Sequence, residues 1–310
     1  MLFIDSNQYL DFYRQPGLKA LLKPLAKVSD RVFITSQIAD EVTRNKVAVA
    51  KKFFTELFAG LGMEKAINGL PDQLFNAAVT IELQAKLRAI PDTIKATRQV
   101  ADKAVVDLLL QISRSEDEAS KALARIFSRA VDADQAELGR ARARRERGRA
   151  PGKPDDSLGD QISWEQFLTS AEKENWPQVW IISRDSDYCS KYAETAVLNA
   201  ALYRDLVQKR PDIVAHCFTE MEKGLRNFIE TNSVRDAQLP TPDEAERINR
   251  EQEALSLSLW MNYDDSNTDF LIQQHLARQK NEWAMMRRAI PTPIDDDVIP
   301  IPPVPSGNSE

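Results

Sequence analysis

Four short apolar runs, separated by long stretches of helical spacing, constrain this chain more than any other feature. They are Leu2 to Ile4, Arg31 to Thr35, Val179 to Ser183 and Ile213 to Phe218. Runs this short and without polar alternation read as strands buried on both faces, and strands that alternate with helices imply an α/β unit built on a mostly parallel sheet. With 310 residues, 43% of them apolar, the chain can bury a substantial core, which excludes a disordered or fibrous protein.

From Ser36 to about Gly148 little breaks a helix. Ile38, Val42, Val49, Phe53, Leu57 and Leu61 recur at helical spacing, followed by Ile94, Val105, Leu108, Leu109 and Ile112, then Leu123, Ile126, Phe127 and Val131. These positions are assigned to the core, and Pro71 and Pro91 are read as dividing the stretch into about four helices. After Phe218 come a helix over 219–231, a linker around 238–242 and two helical stretches, 243–260 and 267–288. The segment 289–310 carries six prolines and the acidic run Asp295, Asp296, Asp297, a composition that cannot build a core and reads as a disordered tail.

The formal charge is −6, which argues against a protein that coats nucleic acid indiscriminately but allows a local basic patch. Arg140, Arg142, Arg144, Arg145, Arg147 and Arg149 supply one, opposed only by Glu146. Cations suit a helix C-terminus, but six exceed what a helix dipole needs, so a phosphate-binding strip that includes Lys153 of the following loop is the rival reading. Cys189 and Cys217 fit no zinc spacing and read as separate buried thiols in a reducing compartment. His216 and His275 are assigned structural roles. An acid follows the first three apolar residues and no run of about 18 apolar residues occurs, so neither a signal peptide nor a membrane span is expected, and the predicted location is cytoplasmic.

Four acids stand where chemistry is expected. Asp5 directly follows the first strand and Asp185 follows the third, so both belong to the carboxyl edge of a parallel sheet, where open α/β sheets hold ligands. Glu41 comes three residues after Ile38, on the side of its helix that turns toward the core. Asp160 has a structural rival, because Ser157 and Asp160 form an S-x-x-D capping box. Yet Trp164, Phe167, Leu168 and Ala171 follow it at i+4, i+7, i+8 and i+11, which puts it on the buried stripe of its helix. Buried carboxylates need a compensating charge, and acids without a nearby histidine suit Mg²⁺ better than zinc.

Four segments carry a resemblance to a known family: Leu2-Phe3-Ile4-Asp5-Ser6-Asn7, Thr35-Ser36-Gln37-Ile38-Ala39-Asp40-Glu41, Gly159-Asp160-Gln161-Ile162-Ser163-Trp164 and Ile181-Ile182-Ser183-Arg184-Asp185-Ser186-Asp187. Each alone is weak; in this order and placement they resemble the PIN-domain nucleases, in a larger branch with a long helical insertion. The resemblance spans residues 1 to about 230. It implies a PIN-like three-layer α/β fold with a central mostly parallel sheet, the domain running over 1–235 with the insertion at about 60–150; the C-terminal helices over 236–288, poorer in apolar residues, then read as an appendage, followed by the tail over 289–310. It also implies metal-dependent hydrolysis of phosphodiester bonds, usually in RNA, with Mg²⁺ or Mn²⁺ held by Asp5, Glu41, Asp160 and Asp185. Asp187 would be a fifth ligand, Asn7 and Ser183 would support the carboxylates, and the products would carry a 5′-phosphate and a 3′-hydroxyl. The departure is length, since Glu41 and Asp160 stand 119 positions apart.

The leading expectation is therefore a Mg²⁺-dependent ribonuclease whose Arg142, Arg144, Arg145, Arg147, Arg149 and Lys153 guide the RNA backbone. DNA as substrate, a homodimer and an inhibitor protein stay open. The alternative is a catalytically silent PIN-like module that binds RNA or protein, since fold does not fix activity. A phosphoryl-transfer enzyme with Asp5 as nucleophile fits less well, because the residue two after it is Asn7 and no Gly-rich phosphate loop is present.

Overall fold

The computed structural model describes residues 1–15, 17–60, 81–152 and 158–250. Strand β1 (Leu2–Ile4) leads into α1 (Ser6–Leu10), α2 (Leu22–Lys27) and β2 (Val32–Phe33). Four helices follow: α3 (Ser36–Gly60), α4 (Ile81–Ser113), α5 (Glu118–Phe127) and α6 (Gln135–Glu146). Then come α7 (Gly159–Lys173), β3 (Gln178–Ile182), a hairpin of β4 (Cys189–Tyr192) and β5 (Thr195–Leu198), α8 (Ala200–Lys209), β6 (Val214–Phe218) and α9 (Met221–Thr231).

The sheet is parallel, in the order β2-β1-β3-β6. The chain leaves β1 to one side for β2 and later returns to its other side for β3, so the winding reverses between these two strands. The crevice beyond their carboxyl ends is the topological switch point, where open sheets of this kind bind ligands. Residues 2–4 and 179–182 are buried throughout, as their uninterrupted apolar sequence requires.

Helices cover both faces. On one, Phe3 packs against Phe167 and Trp164 of α7 and against Tyr188, with ring centroids 5.0, 6.5 and 5.7 Å away. On the other, Trp180 stacks on His216 at 4.6 Å and meets Phe228 of α9 edge-on at 4.9 Å. Gly224 permits this second layer to close, since a Cβ there would stand 2.5 Å from Ile182 Cδ1. The three-layer α/β architecture agrees with the expectation from sequence. Thr35 ties the first layer together: its Oγ accepts the Ile38 N–H at the start of α3 and pairs with the Ser163 hydroxyl of α7 at 2.9 Å.

Several details differ from the sequence reading. Pro91 does not end a helix; α4 runs through it over Ile81–Ser113. A proline inside a helix forfeits one backbone hydrogen bond and bends the axis, and the turns on either side here continue regardless. The β4–β5 hairpin was not expected, and Cys189 at its start is disulfide-bonded to Cys217 of β6, Cα to Cα 6.7 Å, in place of two separate thiols. The hairpin folds back beside the sheet edge and so brings together cysteines 28 positions apart. Residues 242–250 are helical and pack on the main core, with Ile248 buried and its carbonyl accepting from Gln15 Nε2 at 2.8 Å. Pro71, His275, the stretch 251–288 and the tail 289–310 lie outside the described residues. Among the described residues no helix is long and apolar enough to cross a membrane.

Candidate active site

Asp5 is the first residue past β1, and its backbone N–H continues the ladder by donating to Ile182 O at 3.0 Å. That pairing sets the end of β1 beside the end of β3. The Asp5 side chain is only 4% exposed. Its Oδ2 accepts the Ser183 hydroxyl at 2.9 Å and its Oδ1 the Ser6 hydroxyl at 3.3 Å, while Ser183 Oγ accepts the Asp185 N–H at 3.0 Å. A continuous relay thus joins Asp185, Ser183 and Asp5 across the switch point. Asp185 Oδ1 accepts the Asp187 N–H at 3.0 Å, and its carbonyl accepts from Tyr188 and Cys189, a tight turn that holds the carboxylate at the strand end.

The Asp5 carboxyl is pushed up to about 6, chiefly by burial and also by the charges of Asp185 and Glu41, against the lowering effect of the Ser183 hydrogen bond. Tyr188 reports on the same neighbourhood. Its phenol is buried, and its pKa is raised well above the usual value by burial and then by Asp160, Asp5, Asp185 and Glu41 in that order. Its hydroxyl lies 3.4 Å from the Asp160 carbonyl oxygen. One phenol therefore stands within electrostatic reach of all four acids, although they come from β1, α3, α7 and the turn after β3.

Glu41 is half-buried one turn into α3, beside buried Ile38 and Val42. Asp160 is half-buried in the first turn of α7, whose N-cap is Leu158 with no side-chain cap; Ser157, the other half of the capping box, lies outside the described residues. α7 meets α3 at Gly159, where a Cβ would stand 2.7 Å from Gln37 Nε2 and the Gln37 side chain would have to shift. Asp187 is half-buried, and the carboxylate charges acting on Asp5 and Tyr188 come from the four other acids. Asn7 sits in α1, where its carbonyl accepts from Arg184 at 3.4 Å.

The arginine strip does not act as one surface. Arg144 is 6% exposed and donates to Glu165 at 2.6 Å and to Asp205 at 2.7 Å; Arg140 joins the network at Glu165 and Arg149 at Asp205. Arg144 is therefore a buried tie between α6, α7 and α8, which corrects its assignment to RNA, because a guanidinium sealed between two carboxylates cannot reach a phosphate. Arg142 and Arg147 are exposed, Arg145 is half-buried, and Lys153 lies outside the described residues.

The sequence reading missed two residues. Tyr188 follows Asp185 by three positions and reads as an ordinary core aromatic, which it also is. Arg184, next to Asp185, pairs at 2.8 Å with fully buried Asp11, which also binds Arg14. It ties the turn after β3 to α1.

The donor chemistry fits a hard cation: all four acids offer oxygen, and Asp5 is a buried carboxyl crowded by like charge. Among the described residues no three Asp, Glu, His or Cys side chains already form a group able to hold a metal ion.

These features define an α/β protein with an acidic site at the switch point of a parallel sheet. Residues 2–188 match the family model described as PIN domain, and the chain belongs to that family, whose members are generally nucleases that use divalent metal ions. No curated protein and no solved structure matches the chain at a significant level.

Proposed function

We propose that the chain is a divalent-metal-dependent ribonuclease that hydrolyses phosphodiester bonds of RNA, with Asp5, Glu41, Asp160 and Asp185 as the residues that hold the metal. The observation that carries this reading is the Asp5 carboxyl, buried at the switch point, linked through Ser183 to the Asp185 turn and raised to about 6 in a site that three other acids share. Mg²⁺, or Mn²⁺ in its place, would supply there an activated water and charge neutralisation at the phosphate oxygens. The chain's own part is placement. Ser183 fixes the rotamer of Asp5 and the start of the Asp185 turn together, and the buried aromatic wall of Phe3, Trp164 and Tyr188 backs the acids with low-dielectric packing that strengthens their field. Exposed Arg142 and Arg147 support contact with the phosphate backbone.

A second reading, a silent PIN-like module that binds RNA or protein, is favoured by the lack of a ready-formed three-ligand group among the described residues. Pooled RNA and a matched single-stranded DNA, incubated with Mg²⁺, with Mn²⁺ and with EDTA, decide between the two. Cleavage of RNA with either metal, abolished by EDTA and by Asp5→Asn in a folded protein, is the expected result. Equal cleavage by Asp5→Asn would overturn the assignment, and no cleavage by the wild type with either metal would leave the silent module standing.

A further inference from the structure

Two of the four acids are carried by backbone segments that one buried ion pair joins. Asp5 caps the amino end of α1 and Asp11 its carboxyl end. Asp185 follows Arg184 directly in the turn after β3. Arg184 bridges the two segments: its side chain is 7% exposed, and its Nη2 donates to Asp11 Oδ1 at 2.8 Å and lies 3.4 Å from the Asn7 carbonyl oxygen. Asp11 is fully buried and accepts from Arg14 Nε as well, at 2.8 Å. α1 is fastened separately to the segment after β6, where Gln8 Nε2 donates to the Thr219 carbonyl at 3.0 Å.

Stability alone is a poor reason for a guanidinium at this place. Its Nη1 is buried without a hydrogen-bond partner among the described residues, and a donor left in that state is costly. Apolar side chains of similar volume often match or better a buried ion pair. A charge-assisted pair supplies instead a fixed distance and direction. Here the distance it fixes lies between the segment that begins at Asp5 and the turn that displays Asp185.

We propose that Arg184 is a positioning residue: anchored on Asp11, it holds the Asp5 and Asp185 carboxylates at a spacing suited to Mg²⁺, and so gives the site its preference for Mg²⁺ over the larger Ca²⁺. The proposal rests on the metal-holding role that the nuclease reading gives these two acids. Mg²⁺ takes oxygen ligands in a near-ideal octahedron at about 2.0 to 2.1 Å, whereas Ca²⁺ accepts six to eight oxygens at about 2.3 to 2.6 Å in flexible arrangements. A turn free to shift against α1 therefore penalises the smaller ion more than the larger one. Arg184 need not touch the metal, because groups one step removed govern affinity by orienting the ligands.

Isothermal titration calorimetry of the full chain at pH 7.5 gives the Kd of Mg²⁺ and of Ca²⁺ for the wild type, Arg184→Met and Arg184→Lys. Arg184→Met should bind Mg²⁺ roughly 10- to 100-fold more weakly, with a smaller loss for Ca²⁺, so that the preference moves toward Ca²⁺. Arg184→Lys keeps a cation on Asp11 and should recover part of the Mg²⁺ affinity. If Arg184→Met does not fold, the double variant Asp11→Asn with Arg184→Met, which leaves neither charge of the pair buried alone, carries the same expectation. Unchanged Mg²⁺ affinity in the folded variant, or equal losses for the two ions, would overturn the proposal, because a merely loosened fold weakens both without discriminating. Cleavage of pooled RNA in Mg²⁺ keeps the two readings apart. A wild type that binds Mg²⁺ with the Arg184-dependent preference but cuts no RNA sinks the nuclease reading alone. One that cuts while Arg184→Met keeps the wild-type preference sinks the positioning role alone, and a wild type that binds neither ion sinks both.

Discussion

Asp5 pits folding against charge. Its carboxyl ordinarily titrates near 3.8 and does so at about 6 in the folded protein, because burial and the charges of Asp185 and Glu41 disfavour ionisation. Below the unfolded value both states are protonated and nothing is lost. As the pH rises the unfolded chain ionises first, and above about 6 the folded state carries the whole penalty, of the order of 3 kcal/mol. In EDTA the protein should therefore lose stability between about pH 4 and pH 7. Asp5→Asn should flatten that slope and raise the Tm at pH 7.5, with cleavage lost. Parallel Tm profiles for the two proteins would show that Asp5 does not control this region. A bound divalent cation must displace the same proton, so the Tm increment from Mg²⁺ should be small at pH 5 and larger at pH 7.5 in the wild type, and weak at both in Asp5→Asn.

At the level of elements, the arginines of α6 divide into two kinds. Removing Arg144 leaves Glu165 and Asp205 buried without their central partner, so Arg144→Gln should cost roughly 3 to 5 kcal/mol. Arg142→Gln with Arg147→Gln removes only exposed charges and should change stability by no more than about 0.5 kcal/mol per site. If these two contact RNA, the double variant should reduce the dependence of binding on salt by roughly 0.7 in log–log slope per lost contact for a single strand. Urea melts and anisotropy at several salt concentrations check both, and an Arg144→Gln protein as stable as the wild type would contradict the buried network. Sequence could not separate these arginines, because the partners that bury Arg144 lie 21 and 61 positions away. The hairpin was equally hidden. Its two-residue turn is Ala193-Glu194, with Ala193 at a φ of 51° where an Asn-Gly signal is usual. The strands β1 and β3 were legible because residues buried on both faces must be apolar without interruption, whereas β6, at the sheet edge, is only half-buried and carries His216 within its apolar run.

Across the whole molecule, Asp5 and Asp185 could be anticipated from their positions after strands, and Glu41 and Asp160 from helical phase. Their common neighbour Tyr188 could not, since a phenol in an aromatic core gives no local sign that the charges of four carboxylates act on it. The C-terminal side of the fold was harder to read, because a linker with two prolines suggests a boundary. In the structure that segment is bound to the core at several points. Arg226 donates to the Pro240 carbonyl at 2.8 Å, Asn249 to buried Glu222 at 3.1 Å, and Gln15 to the Ile248 carbonyl, with Ile248 itself 1% exposed. A chain cut after residue 235 would lose the Ile248 packing and leave Gln15 and Glu222 without these partners. Ile248→Ala alone should cost roughly 2 to 5 kcal/mol, as large-to-small changes in a packed core do. The chain ending at 235 should therefore melt at least as low as Ile248→Ala, and one ending at 250 should melt higher than both. If the chain ending at 235 instead melts with the one ending at 250, the helix over 242–250 contributes nothing to the core and the domain closes before it.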